Sequence, residues 1–98
     1  MLFRSYYSPA PGHKNRMHCH SRDETFFCIE GECTIHFPDG TSMEIKTGNL
    51  ASVTGGTFYY LENTGTGPMV MVGNGSGERA KDMKIDYETR KPSRGAKG

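Results

Sequence analysis

The sequence predicts an all-β protein, and three observations support that fold class. Eight runs of four to six residues, rich in β-branched and aromatic side chains, follow one another along the chain. Thirteen glycines and several turn sequences separate these runs, and tryptophan is absent. Because 98 residues suffice for one domain only, we expect a single β-sandwich or β-barrel.

The predicted strands have typical lengths and turn signals between them. They cover residues 2–7, 16–20, 25–30, 33–37, 42–45, 50–53, 58–61 and 69–72. Residues 38–40, Pro-Asp-Gly, predict a hairpin turn because proline fixes φ and glycine accepts a positive φ. One further edge strand is expected where Met83, Ile85 and Tyr87 alternate with polar residues.

Apolar side chains are arranged differently in different strands. Cys33, Ile35 and Phe37 alternate with polar residues and are expected to face the core. Residues 26–29 and 69–72 are apolar on both faces, so these strands need cover on both sides. The barrel interior provides one cover, and a second subunit is our interpretation of the other. The sequence therefore predicts a homodimer.

The composition changes near the C-terminus. Residues 78–98 contain seven Lys or Arg and four Asp or Glu, which gives +3, whereas residues 1–77 contain five and seven, which gives −2. We expect a barrel domain over residues 1–89 and a flexible basic tail over residues 90–98. A solvated terminus is the default interpretation of this tail, and recognition of an acidic partner is the alternative.

Overall charge and hydropathy argue against several classes of protein. The net charge of +1 gives no basis for binding nucleic acid. Mean hydropathy is −0.67, and no apolar run approaches the ~20 residues of a membrane-spanning helix, so the protein is expected to be soluble. Residues 1–10 lack the apolar stretch and cleavage site of a secretory signal, which predicts a cytoplasmic location.

The three cysteines are Cys19, Cys28 and Cys33. Their number is odd and no Cys-x-x-Cys pair occurs, so neither a disulfide framework nor a structural zinc knuckle fits. We expect reduced, buried thiols.

His18 and His20 are the leading candidates for metal ligands. The two histidines are two residues apart, and on a strand this spacing points both rings to the same face, with Cα atoms roughly 6.5 to 7 Å apart. Glu24 adds a carboxylate, because residues 21–23 can form a turn that brings the next strand back beside the first. Two imidazoles and a carboxylate match the preferences of zinc, iron, nickel, copper or manganese. Cys19 lies between the histidines and is expected to point away.

The spacing around these residues resembles the first motif of the cupin superfamily. Its fixed positions are all present, as Gly12, His18, His20, Glu24 and Gly31. Residues 48–63 resemble the second motif, with the family's Gly, Gly and Asn at Gly48, Gly56 and Asn63. Both motifs and their connector cover about half of the chain. The resemblance implies a single-domain cupin β-barrel, a double-stranded β-helix or jelly roll, with one divalent metal inside.

Two positions depart from the second motif. Thr54 replaces the usual proline, which is expected to cost only turn rigidity. Tyr59 replaces the histidine that the family uses as its third histidine ligand. The resemblance therefore carries over His18, His20 and Glu24 as metal ligands and leaves the fourth position open.

Three interpretations of Tyr59 remain. It is a phenolate ligand, since a bound cation lowers the pKa of a phenol. Alternatively, it stands beside the metal as a general acid or base, and the histidines and glutamate form a facial triad with open positions for substrate. In the third interpretation, Tyr59 fills a barrel that no longer holds metal tightly.

Arg16 is a further candidate. On a continuous strand it shares the face of His18 and could grip a substrate carboxylate at the barrel mouth, or its guanidinium extends into solvent. Phe26 and Cys28 are expected to line the pocket floor. Cys28 is not expected to be a nucleophile, because no histidine of the same parity lies near it.

Cupins catalyse varied reactions or only bind ligands, so the resemblance does not fix the function. We favour a small-molecule metalloenzyme acting on a carboxylate or carbonyl substrate, in which the metal is a Lewis acid and Tyr59 moves a proton, over a binding or sensing module. The other histidines, His13 in a loop and His36 on an outer face, are not expected to be ligands.

Overall fold

The protein is built from β-strands around one core. The computed structural model describes residues 2–75 and 83–92, and these ranges contain nine strands and no helix. The strands are β1 Leu2–Ser8, β2 His18–His20, β3 Glu24–Glu30, β4 Glu32–His36, β5 Ser42–Lys46, β6 Leu50–Val53, β7 Tyr60–Asn63, β8 Met69–Gly75 and β9 Lys84–Asp86. The described ranges accordingly offer no helix that could cross a membrane.

Two antiparallel sheets and a strand pair enclose the core. The larger sheet has the order β1-β8-β3-β6, the smaller sheet has the order β5-β4-β7, and β2 pairs with β9. Inward side chains of both sheets pack into one cluster, formed by Phe26, Cys28, Cys33, Ile35, Ile45, Ala51, Val53, Tyr59, Leu61, Met69 and Met71. The all-β barrel predicted from the sequence is therefore confirmed.

The period-two pattern decides which side chains enter this core. Cys33 and Ile35 of β4 are fully buried, as predicted. In β3, Phe26 is fully buried, whereas Phe27 and Ile29 are 42% and 49% exposed. The strand that is apolar on both faces therefore has one face in the barrel and the other in solvent.

The predicted turn at residues 38–40 is present. The Phe37 N–H donates to the Thr41 carbonyl at 3.0 Å, and the Gly40 N–H donates to the Phe37 carbonyl at 3.1 Å. Gly40 has a φ of 89°, a conformation that suits glycine. Gly31 has a second reason to lack a side chain, since a Cβ there would lie 2.4 Å from the Pro68 carbonyl oxygen.

The C-terminal segment agrees with the predicted edge strand but differs from the predicted start of the flexible tail. The predicted edge strand exists as β9, and it pairs with β2, the strand of the two candidate histidines. The predicted flexible tail begins at Arg90, yet the Arg90 N–H donates to the Asp86 carbonyl and Pro92 bridges to Ile85. Residues 93–98 of that tail lie outside the described residues.

Candidate metal centre

Backbone pairing aligns β2 with the segment that carries Tyr59. His18 and Tyr59 exchange two backbone hydrogen bonds, each 2.9 Å long. Residues paired in this way point their side chains to the same face. The predicted strand over residues 58–61 begins only at Tyr60, because Tyr59 pairs with β2 as an isolated bridge instead of continuing β7. This bridge brings the second motif to the first.

The three rings form a buried group inside the barrel. His18, His20 and Tyr59 are each at most 2% exposed. The centroid of the His18 ring lies 5.1 Å from that of His20 and 4.8 Å from that of Tyr59. The Tyr59 ring also lies 5.8 Å from that of Phe26, which is two residues after Glu24 on β3. Tyr59 thus stands between β2 and β3.

The ring of His18 is held in one tautomer. Its Nδ1 lies 2.7 Å from the backbone carbonyl oxygen of Arg16. A carbonyl oxygen only accepts, so Nδ1 carries a proton, and in the neutral ring the acceptor lone pair is then on Nε2. Metal-binding histidines are usually oriented by this kind of bond from the second ring nitrogen. His18 therefore has the protonation pattern of an Nε2 metal ligand.

Glu24 is buried beside an arginine that the sequence analysis did not select. Its Oε1 accepts from Nε of Arg22 at 3.3 Å and lies 3.2 Å from Nη2. The two side chains are 2% and 6% exposed. The Oε2 atom of Glu24 is buried and accepts no hydrogen bond from residues within the described ranges. One carboxylate oxygen is therefore committed to Arg22, and the other is not.

A glycine makes room for the Arg22 side chain. Gly75 lies opposite Glu24 in the register of β3 and β8. A Cβ at Gly75 would lie 2.6 Å from Nε of Arg22 and 2.8 Å from its Cζ. The even spacing of His18, His20, Arg22 and Glu24 was the available signal for Arg22, but the interpretation of residues 21–23 as a turn obscured it.

The donor set fits a divalent transition metal by type. Two imidazoles, a carboxylate and a phenol are all buried, and the neutral His18 ring in its tautomer leaves Nε2 without a proton, as an Nε2 ligand needs. Within residues 2–75 and 83–92, however, no three His, Cys, Asp or Glu side chains already have the arrangement of a metal site. The donors would have to converge further, and the cation that Glu24 contacts is the Arg22 guanidinium.

Arg16 does not continue β2, because the strand begins at His18. Its guanidinium pairs with Asp86 of β9 through Nε–Oδ1 at 2.9 Å and Nη2–Oδ2 at 3.0 Å, and its side chain is 66% exposed. The expectation that Arg16 shares the ligand face is therefore corrected. Residues 12–15 instead pair with β7 through backbone hydrogen bonds and a bridge at Lys14.

The two histidines that were not expected to be ligands, and Asn63 of the second motif, have hydrogen-bond partners elsewhere. His13 is exposed, with Nδ1 3.3 Å from the Ser8 hydroxyl, and His36 Nε2 lies 2.7 Å from Glu62 on an outer face. The buried amide of Asn63 donates to the Gly67 carbonyl at 3.0 Å and accepts from the Gly65 N–H at 3.1 Å.

The three thiols are free and buried, as predicted. Burial raises the pKa of the Cys33 thiol to about 12 and also raises the pKa of the Cys28 thiol. Both thiols therefore stay protonated near neutral pH, and a protonated thiol is a poor nucleophile. The structure agrees with packing roles for these cysteines.

Solved structures share this fold. A Klebsiella pneumoniae protein with a double-stranded β-helix domain superposes with a TM-score of 0.73 at 22% identity, covering 87% of this chain and 74% of its own. Oxalate oxidase bound to the substrate analogue glycolate gives 0.71 at 18% identity, over 82% of this chain and 43% of its own. The DMSP lyase DddQ from Ruegeria pomeroyi superposes with a TM-score of 0.71 at 18% identity. The match covers 85% of this chain and 41% of the lyase.

At these identities the structural similarity establishes a common fold. The chain spans less than half the length of the oxidase and of the lyase. Comparison with curated proteins found no significant match. The family model described as "Cupin domain" matches residues 5–73, well over half of the sequence. This chain, with its two motifs joined inside one β-barrel, belongs to the cupin family.

Proposed function

We propose that the protein binds one divalent transition metal through His18, His20 and Glu24 and acts on a small substrate that contains a carboxylate or carbonyl group. The main support is the hydrogen bond from Nδ1 of His18 to the Arg16 carbonyl, which leaves Nε2 as the acceptor. Two imidazoles and a carboxylate buried in one barrel interior support the proposal, because burying titratable groups is unfavourable and such groups are concentrated at functional sites.

The metal, when bound, would polarise a substrate oxygen as a Lewis acid or support chemistry with O2. We assign Tyr59 to complete the ligand set or to move a proton, and the support is that its ring is buried and packs against His18. A phenol in a site closed to water exchanges its proton with substrate rather than with solvent. The apolar ring of Phe26 packs edge-on against the Tyr59 ring, with centroids 5.8 Å apart.

Arg22 is the residue that we assign to substrate carboxylates, in place of Arg16. It is buried, and it already holds one carboxylate, that of Glu24. A guanidinium binds a second carboxylate in the same way, with specificity from its fixed fork of donors. The fold shared with oxalate oxidase in complex with glycolate, a small hydroxy acid, agrees with this substrate class.

A binding or sensing module without turnover is the second candidate. Two observations favour it: Tyr59 replaces a histidine of the family, and Arg22 occupies the carboxylate of Glu24. In such a module the metal is weak or not needed, and Arg22 with the buried rings would bind a small organic acid directly.

Elemental analysis and metal titration test the proposal. The protein is purified without a His tag or chelators, and metal is measured for the wild type, His18→Ala, Tyr59→Phe and the control His13→Ala. One metal per chain is expected in the wild type and in H13A, because His13 is exposed and away from the barrel interior. H18A is expected to lose the metal, since a ligand is removed.

The outcome for Tyr59→Phe separates the interpretations of that residue. Loss of metal indicates ligation, and retained metal with lost turnover on small hydroxy or keto acids indicates proton transfer. Metal and acid binding without turnover in every preparation supports the binding module. Metal content unaffected by H18A would overturn the proposed site.

We also propose that the protein acts in the cytoplasm, as a homodimer, without nucleic acid or membrane as a partner. The near-zero net charge supports the absence of a polyanionic partner. The exposed apolar side chains of β3 support the dimer, because an apolar strand face is stabilised when a second subunit covers it.

A further inference from the structure

Two glycines leave space on the inner face of β8. In the register of β3 and β8, Gly73 lies opposite Phe26 and Gly75 lies opposite Glu24, and both partners are buried in the barrel. Residues paired in this way point to the same face, so both glycines face the interior. We call the space over Gly73 and Gly75 the glycine notch. Because neither residue has a side chain, groups from other segments can approach β8 closely there.

Tyr6 of β1 occupies the first half of the glycine notch. A Cβ at Gly73 would lie 2.6 Å from Cε2 of the Tyr6 ring and 3.3 Å from its hydroxyl oxygen. The ring packs edge-on against that of Phe26, with centroids 5.5 Å apart, and the hydroxyl oxygen is buried. The next residue, Tyr7, is 66% exposed. Tyr6 therefore brings a phenol into the barrel interior, whereas Tyr7 faces solvent.

Arg22 occupies the second half. A Cβ at Gly75 would lie 2.8 Å from Cζ of Arg22. Successive inward positions of a strand are roughly 6.5 to 7 Å apart, so the Tyr6 hydroxyl and the Arg22 guanidinium lie over neighbouring positions of one strand. At the same end of the notch, the buried Oε2 atom of Glu24 accepts no hydrogen bond from residues 2–75 and 83–92. This unsaturated atom indicates that a ligand binds beside the two donors.

We propose that Tyr6 and Arg22 together bind the carboxylate of a small organic acid, with the phenol donating to one oxygen and the guanidinium donating to the other. A carboxylate accepts on both oxygens, and hydrogen bonds of ~2.9 Å on either side of it span the distance between the two groups. The inference rests on the proposed function, in which Arg22 holds the substrate carboxylate, and it adds the second donor.

A phenol beside a guanidinium selects a carboxylate over an amide of the same shape. The phenol supplies a donor without placing a second positive charge next to Arg22, and a hydrogen bond to a charged acceptor is stronger than one between neutral groups. An amide has one acceptor oxygen and two N–H donors. In the amide complex, one of the two protein donors would therefore face an N–H group, which is unfavourable in a buried site.

Isothermal titration calorimetry of the full chain tests the inference, with glycolate and glycolamide as the two probes and metal content measured beforehand. The wild type should bind glycolate at least tenfold more tightly than glycolamide. Tyr6→Phe keeps the ring but removes the donor, so the dissociation constant for glycolate should rise about tenfold. Tyr7→Phe makes the same chemical change at the adjacent exposed position and should leave the constant unaltered.

The preference between the probes distinguishes binding from a merely structural role of Tyr6. If the phenol binds the carboxylate, Y6F should narrow the preference for glycolate over glycolamide, whereas a general distortion of the barrel would weaken both probes equally. Gly73→Ala is the second variant, because its Cβ would displace the Tyr6 ring. It should weaken glycolate binding as Y6F does, and the double variant should be no weaker than Y6F, since both changes remove the same hydrogen bond.

The remaining outcomes separate this inference from the proposed function. A wild type that binds neither probe overturns the carboxylate substrate itself. Glycolate binding that is weakened by Arg22→Met but not by Y6F overturns the role of Tyr6 and leaves the proposed function standing. Equal weakening by Y6F and Y7F, or an unchanged preference in Y6F, also overturns the role of Tyr6.

Discussion

Two arginine–carboxylate pairs flank the histidine strand, and they differ in geometry and in burial. Arg16 and Asp86 meet through two nitrogens and two oxygens, at 2.9 and 3.0 Å, with the arginine side chain 66% exposed. Arg22 and Glu24 meet through two nitrogens and a single oxygen, at 3.3 and 3.2 Å, with both side chains almost fully buried.

The better-formed pair is the one that is less suited to a functional role. Both oxygens of Asp86 are occupied by Arg16, and an exposed pair contributes little to stability. In the buried pair the second oxygen of Glu24 accepts no hydrogen bond from the described residues, although burial makes such an atom unfavourable. The comparison teaches that the less saturated pair is the buried one, and this is the pair at which we propose that a metal or substrate binds.

Glu24→Gln should have the largest effect. Glutamine keeps the shape but removes the charge, so metal affinity should fall at least ~100-fold, since the loss of an outer-shell partner alone costs 10–100-fold. The metal-free protein should also lose about 3 kcal/mol of unfolding free energy, because the buried Arg22 guanidinium loses its carboxylate. Isothermal titration calorimetry and urea unfolding measure the two effects.

Glu62→Gln is the matched control for Glu24. Glu62 also pairs with a side-chain nitrogen, Nε2 of His36, but both side chains are 28% exposed. Its replacement should change the unfolding free energy by less than ~1 kcal/mol and leave metal affinity unaltered. Equal metal affinity of E24Q and the wild type would contradict the role given to Glu24.

Arg22→Met should change metal affinity in the opposite direction. Methionine fills much of the same volume without charge, so a metal no longer competes with the guanidinium for Glu24 and should bind about tenfold more tightly, an effect of ~1.4 kcal/mol. Metal-free R22M should be less stable than the wild type, and metal should restore part of the difference. Unfolding with and without metal checks this, and a loss of metal affinity would contradict it.

Asp86→Asn should alter the response to acid. Arg16, followed by the Thr89 N–H, holds the pKa of the Asp86 carboxyl well below its ordinary value of ~3.9. The stabilisation that comes from this lowered pKa is present above about pH 4 and is lost as the pH falls below that value. The reason is that the unfolded chain takes up the proton at a higher pH than the folded protein does. D86N should therefore lose less stability than the wild type on acidification below that value, measured by thermal unfolding from pH 7 to pH 2. Parallel pH curves for both proteins would argue against the pair.

Arg16→Ala should have the smallest effect. His18 is oriented by the backbone carbonyl of Arg16, which alanine retains, and the lost guanidinium pair is exposed. Metal affinity and the binding of small carboxylates should match those of the wild type in the same calorimetric assay. Weaker binding of small carboxylates by R16A, with unchanged binding by R22M, would indicate that Arg16 and not Arg22 binds the substrate carboxylate.

Much of the fold follows from local patterns that the sequence displays. Period-two alternation determined that Cys33 and Ile35 are buried, and the Pro-Asp-Gly turn at residues 38–40 formed as predicted, since both depend on near neighbours in the chain. The sequence also placed Phe26 and Cys28 in the barrel interior. These features need only strand geometry, which residue spacing defines.

Contacts between distant segments decided the rest. Tyr59 joins His18 through backbone bonds across forty-one positions, and β9 covers β2 from the far end of the chain. Spacing placed Arg16 on the ligand face, but the strand begins two residues later and Asp86 draws the guanidinium outward. The sequence by itself determined the residue types and the spacing from which a metal site is predicted, because both are local. Only the tertiary structure decided that Arg22 lies beside Glu24, because that depends on the space left by Gly75 on another strand.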